Sequence, residues 1–246
     1  MRRQRTMLCM LTTLLVTAAT TRLSDAEDGK VPSAAQLMEK AVKQWESVRT
    51  FRATFTRRER LPGKDTLGPK EVIFLRERQK PFSIYMHWLD GPGKDRRIAY
   101  IEGTNDGKIK VTPGGALGWM VLDMMPDDPE VMKKSRHTIL EAGLGPLIRK
   151  IDEQFELAGS DVRSKYKGKV NFHGRPCHQF YRYTPQKPGY YCWKAEILFD
   201  EEFGFPLYVK VFDWQRSAFE EYSYTDIEFN PDYTDEHFHI RAAPRE

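Results

Sequence analysis

After residue 26 the chain has no apolar run approaching the roughly 20 residues needed to cross a bilayer, which leaves it no helical anchor there. It also lacks the common catalytic signatures: there is no Gly-x-Ser-x-Gly elbow, no His-Glu-x-x-His helix and no Cys-x-x-Cys pair. Gly91-Pro-Gly-Lys94 has the wrong spacing for a phosphate loop and reads as a turn, and Gly143-Leu-Gly145 reads as a helix break. Excess charge is missing too. The formal net charge is +4, but four arginines against Asp25 put +3 of it in residues 1–26. What remains is nearly neutral, without the clustered basic footprint of a nucleic-acid binder.

Cysteine is scarce, at three in 246 residues. Cys9 lies in an apolar run from Met7 to Ala19 that follows Arg2, Arg3 and Arg5 and precedes small residues. This is the pattern of a secretory signal over residues 1–26, with Ser24 and Ala26, or Thr17 and Ala19, before the cleavage point. A periplasmic or secreted location follows as an expectation, with a short linker over 27–32 and a single domain over 33–242. No Leu-x-x-Cys precedes Cys9, which argues against a lipid-anchored terminus. In an oxidising compartment Cys177 and Cys192 predict a disulfide, whose 15-residue loop would contribute about 3 kcal/mol; the other reading is two buried thiols.

The clearest helix covers 33–48. Ser33 and Gln36 form a capping-box pattern, and Leu37, Met38, Val42 and Trp45 fall on one apolar stripe. From residue 51 the period becomes two. Strands are expected at 51–60, 71–78, 82–88, 97–102 and 108–112, joined by short turns. Residues 127–158 read as a helical insertion, and strands return at 170–184, 190–200, 207–214 and 219–229, with 185–189 closing a hairpin. Such an order, helix then meander, predicts an α+β domain with antiparallel pairing between neighbours.

Aromatic mass on strands is the most distinctive content. Phe82, Ile84, Met86 and Trp88 alternate along one segment; Tyr191, Trp193, Ile197 and Phe199 alternate along another. On a curved sheet these faces would line an apolar cavity, with the first helix as a lid; the rival is a plain filled core. Acid/base groupings are sparse. Asp127, Asp128 and His137 form the best of them but lack a nucleophile, and His237 and His239 bracket Phe238 without the ligands of a metal site. His173 and His178 read as exposed strand residues. No catalytic residue, metal or cofactor is expected.

Three segments carry a family likeness: Pro81-Phe-Ser-Ile-Tyr-Met-His-Trp-Leu89, Ser135-Arg-His-Thr-Ile139 with Gly143-Leu-Gly145, and Tyr222-Ser-Tyr-Thr-Asp226. They resemble the uncharacterised bacterial domain-of-unknown-function family 1571, over roughly residues 35–240. More distantly, the leading helix, Phe51-Arg-Ala-Thr-Phe55, Lys80-Pro81, Phe205-Pro-Leu-Tyr208 and Ile227-Glu-Phe-Asn-Pro231 followed by Asp235-Glu-His-Phe238 resemble Lol-type periplasmic lipoprotein carriers. That likeness implies a strongly curved, half-open antiparallel barrel with helices covering the concave side. It also implies non-covalent binding of a lipidic or acyl ligand, so a lipid or an acylated protein is the expected partner. The alternative is a structural or protein-interaction component of the bacterial envelope with a filled core.

Overall fold

The computed structural model describes residues 31–157 and 159–240, so the signal segment expected over 1–26 lies outside the described residues. Contacts separate Met1–Val31 from Pro32–Glu246, and the fold below is that of the second unit. Helix α1 (Ala34–Trp45) begins as its sequence predicts. Gln36 N donates to Ser33 Oγ at 3.2 Å and Ser33 N donates to Gln36 Oε1 at 2.8 Å, satisfying two of the free donors at the helix start.

Eleven strands make a single antiparallel sheet: β1 (Thr50–Glu59), β2 (Glu71–Arg78), β3 (Ser83–Asp90), β4 (Arg97–Ile101), β5 (Ile109–Thr112), β6 (Leu122–Met124), β7 (Arg163–Phe172), β8 (Arg175–Tyr183), β9 (Lys194–Asp200), β10 (Pro206–Phe212) and β11 (Ala218–Phe229). Their spatial order is β6-β5-β4-β3-β2-β1-β11-β10-β9-β8-β7. Two meanders are thus joined by pairing of the first strand with the last, Phe51 opposite Phe229 and Glu59 opposite Glu220. Consequently β6 and β7 stand at opposite edges, and the segment between them must cross the whole sheet. That segment carries α2 (Pro129–Met132) and α3 (Leu144–Glu156). The expected α+β architecture, an open curved sheet with helices on its inner side, is the one observed.

An aromatic cluster fixes one end of the inner face. Trp45 of α1 meets Phe51 and Phe205 edge-on, both at 5.7 Å between centroids, and Phe229 and Phe203 continue the stack. Gly204 allows this approach: its φ is +78°, and a Cβ there would stand 2.5 Å from the Leu37 carbonyl oxygen.

Two sequence expectations need correction, and one strand escaped the sequence. Residues 170–184 are not one strand, because His173 and Gly174, both at positive φ, turn the chain between β7 and β8. The short edge strand β6 carries too little alternation to be read from sequence. The disulfide is absent: Cys177 and Cys192 are both free and buried. In the β8–β9 register Cys177 faces Asp200, whereas Cys192 lies beside Thr184, whose hydroxyl donates to its carbonyl. Seven strand positions at ~3.3 Å separate them by about 23 Å, far beyond the ~7 Å that a bridge can span. Burial pushes both thiols up to about 12, so neither is a reactive thiolate near neutrality.

Two outcomes are expected. In the native protein at pH 8 neither thiol should react with a thiol reagent, and in denaturant the chain from residue 27 onward should titrate two free thiols; a value near zero would establish a bridge. Phe51→Ala, which empties the centre of the aromatic cluster, should cost about 3–5 kcal/mol in urea unfolding.

Candidate functional site

Between the sheet and the crossing segment lies a cavity of about 310 Å³. Its floor draws on strands from β1 to β11, including Phe55, Met86, Ile98, Val111, Ile197 and Val209, which converge on one space only because the sheet curls. Its roof is the segment 130–155, with Val131, Ile139, Leu147, Ile151 and Phe155 turned inward. Leu122, Glu130 and Lys134 lie at its exposed rim.

The eight cavity residues expected from alternation divide evenly. Met86, Trp88, Tyr191 and Ile197 line the cavity. Ile84 and Phe199, though on inward faces and fully buried, are packed into the solid core, Phe199 against Phe155 and Phe180. Phe82 sits before β3 against Tyr100. Trp193 packs against Tyr183 with Arg216 over its ring, because residues 191–193 precede β9 and do not follow strand alternation.

Nor is α1 the lid. Leu37, Met38 and Trp45 are buried and Val42 is packed against the same core, but none of the four reaches the cavity. Cover comes instead from α3 and the residues before it. The Gly143-Leu-Gly145 stretch, read as a helix break, is the seat of that cover. Leu144 N donates to Glu77 Oε2 at 2.9 Å, and a Cβ at Gly143 or Gly145 would stand 2.5 Å from the Glu77 carboxyl. A buried carboxyl thus meets the free N–H groups that open α3.

Polar residues crowd one end of the cavity, and sequence reading missed most of them. Along β1 the inward positions run Phe51, Ala53, Phe55, Arg57, Glu59, passing from apolar to charged. Glu59 stands directly opposite Glu220 of β11, both buried. Two like charges in that position repel, so each needs cations or donors. The Arg136-His137 dipeptide of the roof supplies them. Arg136 N donates to Glu59 Oε2 at 2.9 Å, Arg136 Nε donates to Glu220 Oε1 at 2.9 Å, and His137 Nε2 is 2.8 Å from the same oxygen. Tyr222 OH donates to Glu59 Oε1 at 2.8 Å, and Tyr191 OH donates to Glu220. Burial opposes ionisation of Glu220, yet His137, Tyr191 and Arg136 together outweigh it and hold the carboxyl below its usual range. Arg57 reaches Glu71, Ser135 Oγ and the Lys134 carbonyl, pinning the roof a second time.

His137 therefore serves this clasp and is not joined with Asp127 and Asp128, the grouping that already lacked a nucleophile in the sequence. Asp128 accepts from Glu130 N at 2.8 Å as the cap of α2, and Asp127 is exposed. His237 Nδ1 accepts from Thr234 N in a closing turn, and His178 is buried beside Tyr166, contrary to the exposed position expected of it. No cluster of metal-binding side chains occurs among the described residues. The missed carboxylates and arginines did leave one signal, namely charged residues on the inward parity of otherwise apolar strands.

Glu77 makes folding pH-dependent. Burial drives its carboxyl up to about 7, against the lowering effects of the Gly145 N–H, Arg149 and the Leu144 N–H. The folded state then holds this proton more tightly than the unfolded chain, whose value is near 4.5. Its contribution is full below pH 4.5 and is lost as pH rises to about 7. Urea unfolding of Glu77→Gln should lack that fall between pH 5 and 7.5 relative to the unsubstituted protein; parallel pH profiles would refute it.

A family model described as "Protein of unknown function (DUF1571)" matches residues 48–244. Curated proteins give no sequence match. Among solved structures, that of MucB aligns with 15% identity and a TM-score of 0.50, covering 85% of this chain and 63% of MucB. The MucA/MucB complex of Pseudomonas aeruginosa gives 13% and 0.49, over 85% and 61%. The Mycobacterium tuberculosis lipoprotein LppX gives 8% and 0.49, over 82% and 97%. This chain thus spans about three fifths of the MucB length, and at such identity the similarity with MucB concerns the fold.

Proposed function

We propose, from the premise that this chain belongs to the DUF1571 family of proteins of unknown function, that it is an exported, non-catalytic protein that binds or carries a lipidic or acyl ligand. The supporting observation is the apolar cavity between curled sheet and helical roof. Its volume of about 310 Å³ falls at the lower end of ligand pockets, which run from about 300 to 1,000 Å³, and suits one amphiphile with a short chain. Binding would be driven by shielding the chain from water, at ~25 cal/mol per Å² of apolar surface buried.

Entry would require the roof to part from the sheet. Its attachment by Arg136, His137 and Arg57 is polar, so those bonds can be exchanged for bonds to water and remade, while a bound chain would cover the apolar side chains of the roof. The same engagement argues against catalysis: Glu59 and Glu220, the buried carboxylates of the cavity, are each bonded both to the roof and to a tyrosine outside it. The export signal over 1–26 and a periplasmic or secreted location belong to this proposal, as do the 27–32 linker and the 33–242 domain.

A second reading, an envelope protein that binds another protein, draws on exposed apolar residues near the cavity rim. Leu117, Trp119, Val121 and Met125 are all exposed within one edge segment. MucB, similar in fold, has been crystallised in complex with MucA(peri).

The experiment is titration of the purified protein with a fluorescent fatty acid, paired with native mass spectrometry of protein taken from a periplasm. A saturable one-to-one complex is expected. Ala195→Trp, which fills the cavity from β9, should weaken it about tenfold, the effect of losing ~60 Å² of burial at ~25 cal/mol per Å². Absence of any complex would defeat the carrier reading and leave the protein-binding one.

A further inference from the structure

Resting on the cavity reading above, we propose that the ligand's head is an anionic oxygen group, a carboxylate or a phosphate, received by Arg96 and Trp88. Both residues line the cavity, at 7% and 2% exposure. Arg96 Nε and Trp88 Nε1 are buried donors with no hydrogen-bond partner. They belong to one stack, the Arg96 guanidinium lying 3.9 Å from the Trp88 ring centroid and that of Arg57 at 5.6 Å. Nearly all buried donors in proteins are partnered, and an arginine offers donors only, so what completes this pair must be an acceptor.

The acceptor's charge follows from the neighbours. Two guanidinium groups share the Trp88 ring, and Glu71 Oε2 accepts from Arg57 Nε. Arg96 Nη2 stands 3.6 Å from Glu71 Oε1, beyond the ~3.2 Å of a direct hydrogen bond. Burial, then the nearby Arg57 charge, lower the Arg96 guanidinium to about 10, with Glu71 acting in the other direction. Glu71 is thus shared between the two guanidinium groups, and an oxyanion would give Arg96 the direct charge-assisted bonds that Glu71 does not make. The guanidinium lies against the turn between β3 and β4, where a Cβ on Gly93 would stand 3.1 Å from Arg96 Cζ. The ligand's chain then runs from this charged end along Met86, Ile98 and Val111.

The test uses the full folded domain at pH 8 with dodecanoate, dodecyl phosphate, dodecanol and inorganic phosphate as probes, followed by calorimetry or by displacement of a fluorescent fatty acid. One or both anionic amphiphiles should bind about tenfold or more tightly than dodecanol, as expected of buried hydrogen bonds to a charged group. Comparison of the two anions identifies whether a lipid carboxylate or a phosphate head is preferred. In Trp88→Phe and Arg96→Gln the anion-to-alcohol ratio should fall toward one. Equal binding of all three amphiphiles by the unsubstituted protein overturns the head assignment while leaving the cavity reading intact. Failure of every amphiphile to bind removes the cavity reading and this proposal with it. Inorganic phosphate binding as tightly as dodecyl phosphate also overturns it, because the site would then serve a free anion. The ratio in the unsubstituted protein decides the matter even if a variant does not fold.

Discussion

Pairing of the first strand with the last governs this molecule. Because β1 hydrogen-bonds to both β2 and β11, the two meanders become one eleven-stranded sheet with β6 and β7 at its far edges. A chain leaving one edge and resuming at the other must traverse the sheet, and here the crossing segment lies over the hollow. Strand order supplies the crossing, and burial of its apolar side chains selects the concave face. Residues 130–155 need only enough apolar side chains to remain there, and Val131, Ile139, Leu147 and Ile151 provide them.

The same pairing creates the electrostatic problem that the roof resolves. Placing Glu59 opposite Glu220 buries two carboxylates side by side, a costly arrangement without partners. Arg136 bridges both, His137 and Tyr191 share one, and Tyr222 holds the other. Sheet and roof are therefore complementary in two ways along the inner face: apolar where Leu147 and Ile151 share the cavity with Phe55 and Val209, ionic at Glu59 and Glu220. An apolar contact alone would let the roof slide, whereas directed bonds to two fixed oxygens set its position.

Much of this was legible in sequence, element by element. The Ser33–Gln36 cap, the strand over 71–78, and the inward set Ile84, Met86 and Trp88 follow from local patterns because local sterics and burial parity produce them. Reading failed where the pattern was broken or the answer lay across the sheet. The Tyr191–Trp193 segment reads as strand but bends before β9, so Trp193 faces away. The Cys177–Cys192 spacing suggested a bridge, but the register put the pair at opposite ends of a hairpin. Trp45 and Val42 formed a convincing lid stripe, yet an amphipathic face records only that a helix is covered, not what covers it.

By itself the sequence determined the leading helix, most of the strands and which residues share a face of each regular strand, and that the interior would be rich in aromatic groups. These are properties of period and capping, set within a few residues. Tertiary structure alone decided which helix roofs the hollow, that Arg136 and His137 meet two carboxylates more than 80 positions away in one case and nearly so in the other, and that Arg96 and Trp88 share a stack with donors unspent. Those depend on strand order and register, which bring together residues whose separation along the chain carries no information about their distance in space.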